Sequence, residues 1–436
     1  MLRLRPHIAI DILERLPSPF GLVRYGVAPD HPEVKSVEKR FSEISKDKRV
    51  NFFGNIGVGR DISVAELQDY YHAIVFSTGS SEDSKLNIPG EDLEGVESAR
   101  HFVEWYNSHP ERKNTKFNLG GDSVVIVGNG NVAVDVARIL VRNPEDLAPT
   151  DINEETVEAL RNCNVRNVHI IGRRGPVQSA FTTRELRELT KLSGVKVVIA
   201  DGELTLSESC VVERDSNRVL KRKMQLLEEI KKEQNKTDDA KKVVHLHFLK
   251  SPIQFKANHN NSQLGSVILR HNRLVGPPGQ QKLVPTDTTE EIQTNLTFRS
   301  IGYRSTPIEG LPFNHKLGII PNELGHVLFP NTPDHGFFVS GWAKRGATGT
   351  IGSTLLDASE TAHTIHNLMD SKLDILKEKE DLTFIQKHQL QYVNWREWEM
   401  LDAIELRKGK ELGKARRKFA NVPDMLAALI WDPVTF

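Results

Sequence analysis

Short apolar runs, each closed by a glycine turn, alternate along this chain with stretches whose apolar residues recur at helical spacing. Ser123-Val124-Val125-Ile126-Val127 runs straight into Gly128-Asn129-Gly130-Asn131-Val132-Ala133, and a helical pattern follows over 132–140. Val168-His169-Ile170-Ile171 is a second strand of this kind and ends on Gly172-Arg173-Arg174-Gly175. Upstream, His7-Ile8-Ala9-Ile10-Asp11-Ile12-Leu13-Glu14 is apolar, rich in β-branched residues and finished by an acid. A Pro- and Gly-rich loop over 17–32, a helix from 33 to about 47 and a buried strand ending in Ser77-Thr78-Gly79 complete that first unit. Charged loops over 80–97 then read as a linker.

Leu220, Met224, Leu227 and Ile230 fall at helical spacing inside the charge-rich stretch 206–242, which predicts a surface helix trailing into a flexible loop. Residues 243–304 alternate as strands, with turns at 258–262 and 276–279. The Trp- and Lys-rich tail after Leu368 predicts helices packed on the outside. The alternation of strands and helices with short turns predicts a doubly wound α/β architecture.

The turn at Gly128 suits a dinucleotide diphosphate. Gly128 makes the tight turn, Gly130 removes the Cβ that would hold phosphates off the backbone, and Ala133 lets the helix lie close on the strand. The end of the next strand chooses the cofactor. An acid there would accept a ribose 2′-hydroxyl and repel a 2′-phosphate, whereas Arg173 and Arg174 offer two permanent cations that suit a phosphate dianion. NADP(H) is the expected ligand.

At 436 residues the chain is long enough for two or three domains. Lys plus Arg equals Asp plus Glu at 58 each, so no global field attracts nucleic acid or membrane. No apolar stretch approaches the roughly twenty residues of a membrane span. Residues 1–6 are basic but too short to read as a sorting signal. Cys163 and Cys210 lie far apart, which argues against a disulfide scaffold, a zinc ribbon or an iron–sulfur cluster, and both read as packing thiols. His245 and His247 share one strand face, but two ligands fall short of a metal site.

The strand ending in Glu14 looks like the second strand of another nucleotide-binding fold, with Glu14 placed to hold an adenosine ribose. Its first strand and glycine loop would lie before Met1. Without them the neighbouring strands are expected to keep unpaired edges and an open core.

The loop Leu16-Pro17-Ser18-Pro19-Phe20-Gly21-Leu22-Val23-Arg24-Tyr25-Gly26-Val27-Ala28-Pro29-Asp30-His31-Pro32-Glu33-Val34-Lys35 resembles the NADPH:adrenodoxin (ferredoxin) oxidoreductase family. Gly54-Asn55-Ile56-Gly57-Val58-Gly59, the two glycine turns, Ser300-Ile301-Gly302-Tyr303 and Gly341-Trp342-Ala343-Lys344-Arg345-Gly346-Ala347-Thr348-Gly349 extend the resemblance almost end to end. It is weakest over about 200–265.

The resemblance implies an α/β chain with two Rossmann-like nucleotide-binding domains of the glutathione-reductase type, the first incomplete. The FAD domain would comprise 1–82 and 308–436, with the NADP domain, 83–307, inserted between. It implies FAD contacts at Glu14, Leu22, Val58, Trp342, Gly349, Thr350 and Ile351. NADP contacts would fall at Gly128, Asn129, Gly130, Asn131, Arg173, Arg174 and Glu185, with Gly349 near the nicotinamide. His31 and Asp135 would form a pair beside the flavin, and Arg218 and Arg222 would dock an acidic [2Fe–2S] ferredoxin. The implied protein is a monomeric, mitochondrial (matrix-side) NADPH-dependent ferredoxin reductase with no transmembrane segment and a peripheral place at the inner membrane. Its rival is a remnant that keeps NADP(H) and ferredoxin but not flavin or turnover. A third reading, an amidotransferase-type flavoprotein subunit, wants iron–sulfur cysteines that are missing.

Overall fold

The structure is a computed structural model that describes residues 1–234, 240–258, 262–330, 336–349, 351–371, 379–380 and 383–431. Fifteen strands position the site and its surroundings. They are β1 Ile10–Glu14, β2 Val50–Gly54, β3 Ile74–Phe76, β4 Val96–Ser98, β5 Ser123–Val127, β6 Asn167–Ile171, β7 Val195–Ile199 and β8 Lys242–His247. Then follow β9 Lys250–Ala257, β10 Leu264–Val275, β11 Lys282–Gln293, β12 Leu296–Arg299, β13 Asn322–Glu323, β14 His326–Val327 and β15 Phe337–Val339. Five helices matter most: α1 Asn131–Val141, α2 Thr183–Thr190, α3 Arg218–Glu233, α4 Ile351–Ser371 and α5 Trp395–Glu411.

The central sheet has six strands in the order β4-β12-β5-β6-β8-β7, and every pairing is parallel. Val124, Ile126, Val168, Ile170, Val244 and Leu246 face the helices and join the largest core cluster. Val125, Val127 and Ile171 point the other way and pack on Phe255, Val267 and Leu269 of a three-stranded antiparallel sheet, β9-β10-β11. Burial on both faces is why these strands read as continuous apolar runs rather than alternating ones. The turn foreseen at 276–279 joins β10 to β11, while 259–261 lie outside the described residues.

The stretch foreseen as one surface helix is two, Glu208–Ser216 and α3. The break is chemical: the Asn217 side chain accepts the backbone N–H groups of Val219 (2.8 Å) and Leu220 (3.4 Å) and caps α3. Met224, Leu227 and Ile230 are buried and Leu220 is partly so. The loop expected after it falls largely on 235–239, outside the described residues.

Both ends of the chain build the remaining layer. β1 pairs in parallel with β2, and β3 pairs in parallel with β15 of the sheet β13-β14-β15-β3. Among the described residues, β1 and β3 each have a single hydrogen-bonded neighbour, and Ile12 and Val75 at their centres are exposed. α5, opened by a capping box between Asn394 and Glu397, lays Trp398 and Leu401 on Phe52 of β2. Arg24 and Glu405, both fully buried, tie the 17–32 loop to α5 through two 2.6 Å contacts.

Candidate functional site

β5 delivers the chain to Gly128, whose φ of +121° suits glycine and whose Cβ would stand 2.0 Å from the Ser300 carbonyl oxygen. Gly130 has open space where its Cβ would be. It occupies the N-cap of α1 without any side-chain cap, so the first N–H groups of an eleven-residue helix are free to meet an anion. The Asn129 carbonyl accepts Phe181 N–H (3.0 Å), and the Asn131 Oδ1 accepts Thr182 N–H (2.8 Å). Asn129 Nδ2 is buried without a hydrogen-bond partner. An orphaned amide donor beside an uncapped glycine turn is the signature of a site built for an acceptor-rich group, and a dinucleotide diphosphate fits it.

Arg173 and Arg174 follow β6 with their backbone pinned. Gly172 N–H donates to His247 O (2.8 Å), Leu249 N–H to Arg174 O (3.0 Å) and Asn272 Nδ2 to Arg173 O (3.4 Å). Both side chains are exposed, and neither guanidinium meets a carboxylate among the described residues. A fixed backbone carrying two uncommitted guanidinium groups is what a 2′-phosphate requires.

One turn beyond the cradle lies a charged cluster. Thr182 caps α2 by accepting Glu185 N–H (3.3 Å), which puts Glu185 in the first turn. Glu185 Oε2 lies 3.3 Å from Arg138 Nη1. His31 Nε2 contacts Glu188 Oε2 at 2.6 Å, while Asp135 Oδ1 forms a 2.9 Å ion pair with Arg138 Nη2, angled so that it is no hydrogen bond. The structure therefore brings His31 and Asp135 into one cluster but gives His31 a different partner. Burial raises the Asp135 carboxyl to about 6 against the pull of Arg138. Asp30, also buried, is held below the usual carboxylate range by the hydrogen bond and charge of Arg138. His31, Glu185 and Glu188 bring ligand atoms within 4.8 Å of one another, but Arg138 already supplies the positive charge there.

The residues expected at the flavin are also placed. Glu14 ends β1, accepts Leu16 N–H at 3.1 Å, and has its carboxyl pushed up by burial. Leu22 is exposed, and Val58 sits partly buried in the 57–61 turn, where Gly57 N–H donates to Asp61 (2.7 Å). Trp342 packs obliquely on Tyr303 at 6.0 Å. Gly349 holds φ +84°, and a Cβ there would come 2.3 Å from Ser353 Oγ. Ile351 opens α4, whereas Thr350 lies outside the described residues. Among the described residues β1 pairs with β2 alone, and its other edge carries no strand.

Arg218 and Arg222 stand one turn apart at the start of α3, exposed and meeting no carboxylate among the described residues. Arg214 and Lys221 are instead engaged by Asp215 (3.0 and 3.7 Å). Lys223, grouped by sequence with these cations, faces inward and donates to Ser179 O at 2.5 Å. His245 and His247 gain a third histidine, His169, on the adjacent strand. The three rings stack at 4.4 and 5.3 Å from His169 rather than converge on a metal. Cys210 is buried and Cys163 partly buried, both free.

Fold and site together define an NADP(H)-binding α/β oxidoreductase, and the pyridine nucleotide-disulphide oxidoreductase family matches residues 27–202. The chain is 40% identical to NADPH-ferredoxin reductase FprA of Mycobacterium tuberculosis, over 96% of this chain and 92% of that protein. It is 39% identical to the mitochondrial NADPH:adrenodoxin oxidoreductase of Arabidopsis thaliana (96% and 89%) and 40% to that of Bos taurus (96% and 86%). The structure of Mycobacterium tuberculosis FprA in complex with NADPH superposes with a TM-score of 0.91 at 37% identity, covering 98% of this chain and 95% of that one. The chain belongs to the NADPH:adrenodoxin (ferredoxin) oxidoreductase family.

Proposed function

We propose that this protein passes electrons from NADPH through FAD to a ferredoxin. The observation that carries the NADPH half is the uncapped turn at Gly130, with two arginines unpaired among the described residues at the end of the adjacent strand. FAD, when bound, supplies the chemistry that turns a two-electron donor into single-electron deliveries. The chain's own residues do the rest. Gly128–Asn131 cradles the NADP(H) diphosphate, Arg173 and Arg174 hold the 2′-phosphate, and Glu185 meets the nicotinamide ribose. Glu14, Leu22, Val58, Trp342, Gly349, Thr350 and Ile351 flank the flavin, and His31 with Asp135 manages protons beside it. Arg218 and Arg222 receive an acidic [2Fe–2S] partner.

In this reading 83–307 forms the NADP domain and 1–82 with 308–436 the FAD domain. Mitochondrial relatives support a mitochondrial location, although the FprA relative is bacterial. The second reading is NADP(H) binding without turnover, which keeps the Gly128–Asn131 and Arg173–Arg174 site and lacks flavin. A visible spectrum of the purified chain before and after adding FAD separates the two. Flavin bands that bleach with NADPH support the reductase. A colourless protein that still binds NADPH overturns it in favour of the second reading.

A further inference from the structure

Arg138 sits at the centre of the charged cluster with its side chain 1% exposed, so no ligand can reach it directly. Its guanidinium nonetheless touches four carboxylates. Nε and Nη2 grip the two oxygens of Asp30 at 2.8 and 3.1 Å, Nη2 meets Asp135 at 2.9 Å, and Nη1 meets Glu185 and Glu188 at 3.3 and 3.6 Å. These acids come from three separate places: the loop that also carries His31, then α1, then α2. Further cations stand around them. Arg142 takes a second hold on Asp30 (2.7 Å), and Arg184 holds Glu188 from outside (3.1 Å) while also pairing with Glu33. A two-pronged grip on one carboxylate with a free edge for three more needs a planar fork, which lysine lacks.

We propose that Arg138 is a positioning residue for the nicotinamide end of the NADP(H) site: it fastens the Asp30–His31 loop to α1 and α2 and so fixes where Asp135 and Glu185 stand. The inference rests on the reading of this cleft as the NADP(H) site. The phosphate end lies at Gly130 and Arg173–Arg174, and Arg138 touches neither. Removing the fork leaves Asp30, Asp135, Glu185 and Glu188 facing one another, with Arg142, Arg184 and His31 as the remaining partners and the buried Tyr106 hydroxyl beside Asp135. Mutual repulsion then favours protonation of one carboxyl. Asp135, whose carboxyl is already raised, is the one that gains the proton.

The test compares two probes on the purified chain by calorimetry: NADP⁺, which reaches both ends of the site, and adenosine 2′,5′-bisphosphate, which reaches only the phosphate end. Arg138→Lys is expected to weaken NADP⁺ by about tenfold or more while leaving the bisphosphate within about twofold. The pH dependence of NADP⁺ binding, which Asp135 sets near pH 6 in the wild type, should also move upward in the variant, to between about pH 7 and pH 8. Should Arg138→Lys fail to fold, Arg138→Met with Asp30→Asn keeps the cluster's charge balance and is expected to show the same split. Equal losses for both probes would mean a purely structural role, and no loss for either would mean none; each overturns the proposal. Wild-type protein that fails to prefer the bisphosphate over 5′-AMP would instead sink the NADP(H) reading itself.

Discussion

At the scale of single residues, the two ends of the nucleotide site differ in how they are made. The proposed 2′-phosphate end is Arg173 and Arg174, consecutive in sequence and held by their own backbone. Hydrogen bonds from a charged donor are worth about 1.5–3 kcal/mol each. Arg173→Gln should therefore raise the NADPH dissociation constant by about 10- to 100-fold and leave NADH within about twofold, as a fluorescence titration would show. Gly128→Ala should be harsher. Its Cβ would be driven into the Ser300 carbonyl at a φ that L side chains rarely adopt, so both thermal stability and NADPH binding should fall. Both features were legible in the sequence because a glycine turn and its helix are local. The acid cluster was legible only in part. Glu188 meets His31 across a separation of 157 positions, and Arg138 is one of many arginines until folding surrounds it with acids. Such a signal exists only in three dimensions.

At the scale of elements, α3 shows what periodicity can and cannot give. Its apolar spacing places Met224, Leu227 and Ile230 inward correctly. It could not show that Asn217 cuts the stretch in two, because a cap depends on backbone geometry. Asn217→Ala should lower stability by about 1 kcal/mol, read as a shift of the urea midpoint. Nor could a run of cations reveal which are already neutralised. Arg214 and Lys221 face Asp215 and Lys223 is buried, so Arg218 and Arg222 carry the uncommitted charge. In a flavin-loaded preparation, Arg222→Glu should slow ferredoxin reduction severalfold at low ionic strength and flatten its salt dependence. Unaltered salt dependence would remove this helix from the docking surface. The parallel strands were readable as apolar runs, but the antiparallel sheet that covers their second face was foreseen only as alternating strands without a place to pack.

At the scale of the whole molecule, charge burial ties distant segments and sets the response to acid. Lys250 can only donate, so His247 accepts at Nδ1 (3.2 Å) and its Nε2–H points to His169 Nδ1 (3.0 Å). A proton taken up at His169 Nδ1 would break that chain. Burial first, then the neighbouring histidines, lowers His169 to about 3 and His245 to about 4. Unfolded imidazoles take up protons near pH 6.5, so from there down towards pH 4 the unfolded chain binds more protons and stability is lost. The urea midpoint should fall between pH 7 and pH 5 by the equivalent of about 1–2 kcal/mol per histidine, and His169→Gln should shrink that fall. Where the 17–32 loop meets α5, Arg24→Met should cost about 3–5 kcal/mol in the same assay, because it strips a buried carboxylate of one of its two cations.

The pairing of β3 with β15 imposes an order on biosynthesis. Residue 74 finds its strand neighbour only when residue 337 has left the ribosome, which at ordinary elongation rates takes on the order of tens of seconds. Meanwhile the contiguous nucleotide unit, with its six parallel strands, can close on itself. The strand at 74–76 is thus made before the nucleotide unit but completed after it, and it is the stretch a nascent-chain chaperone is expected to guard.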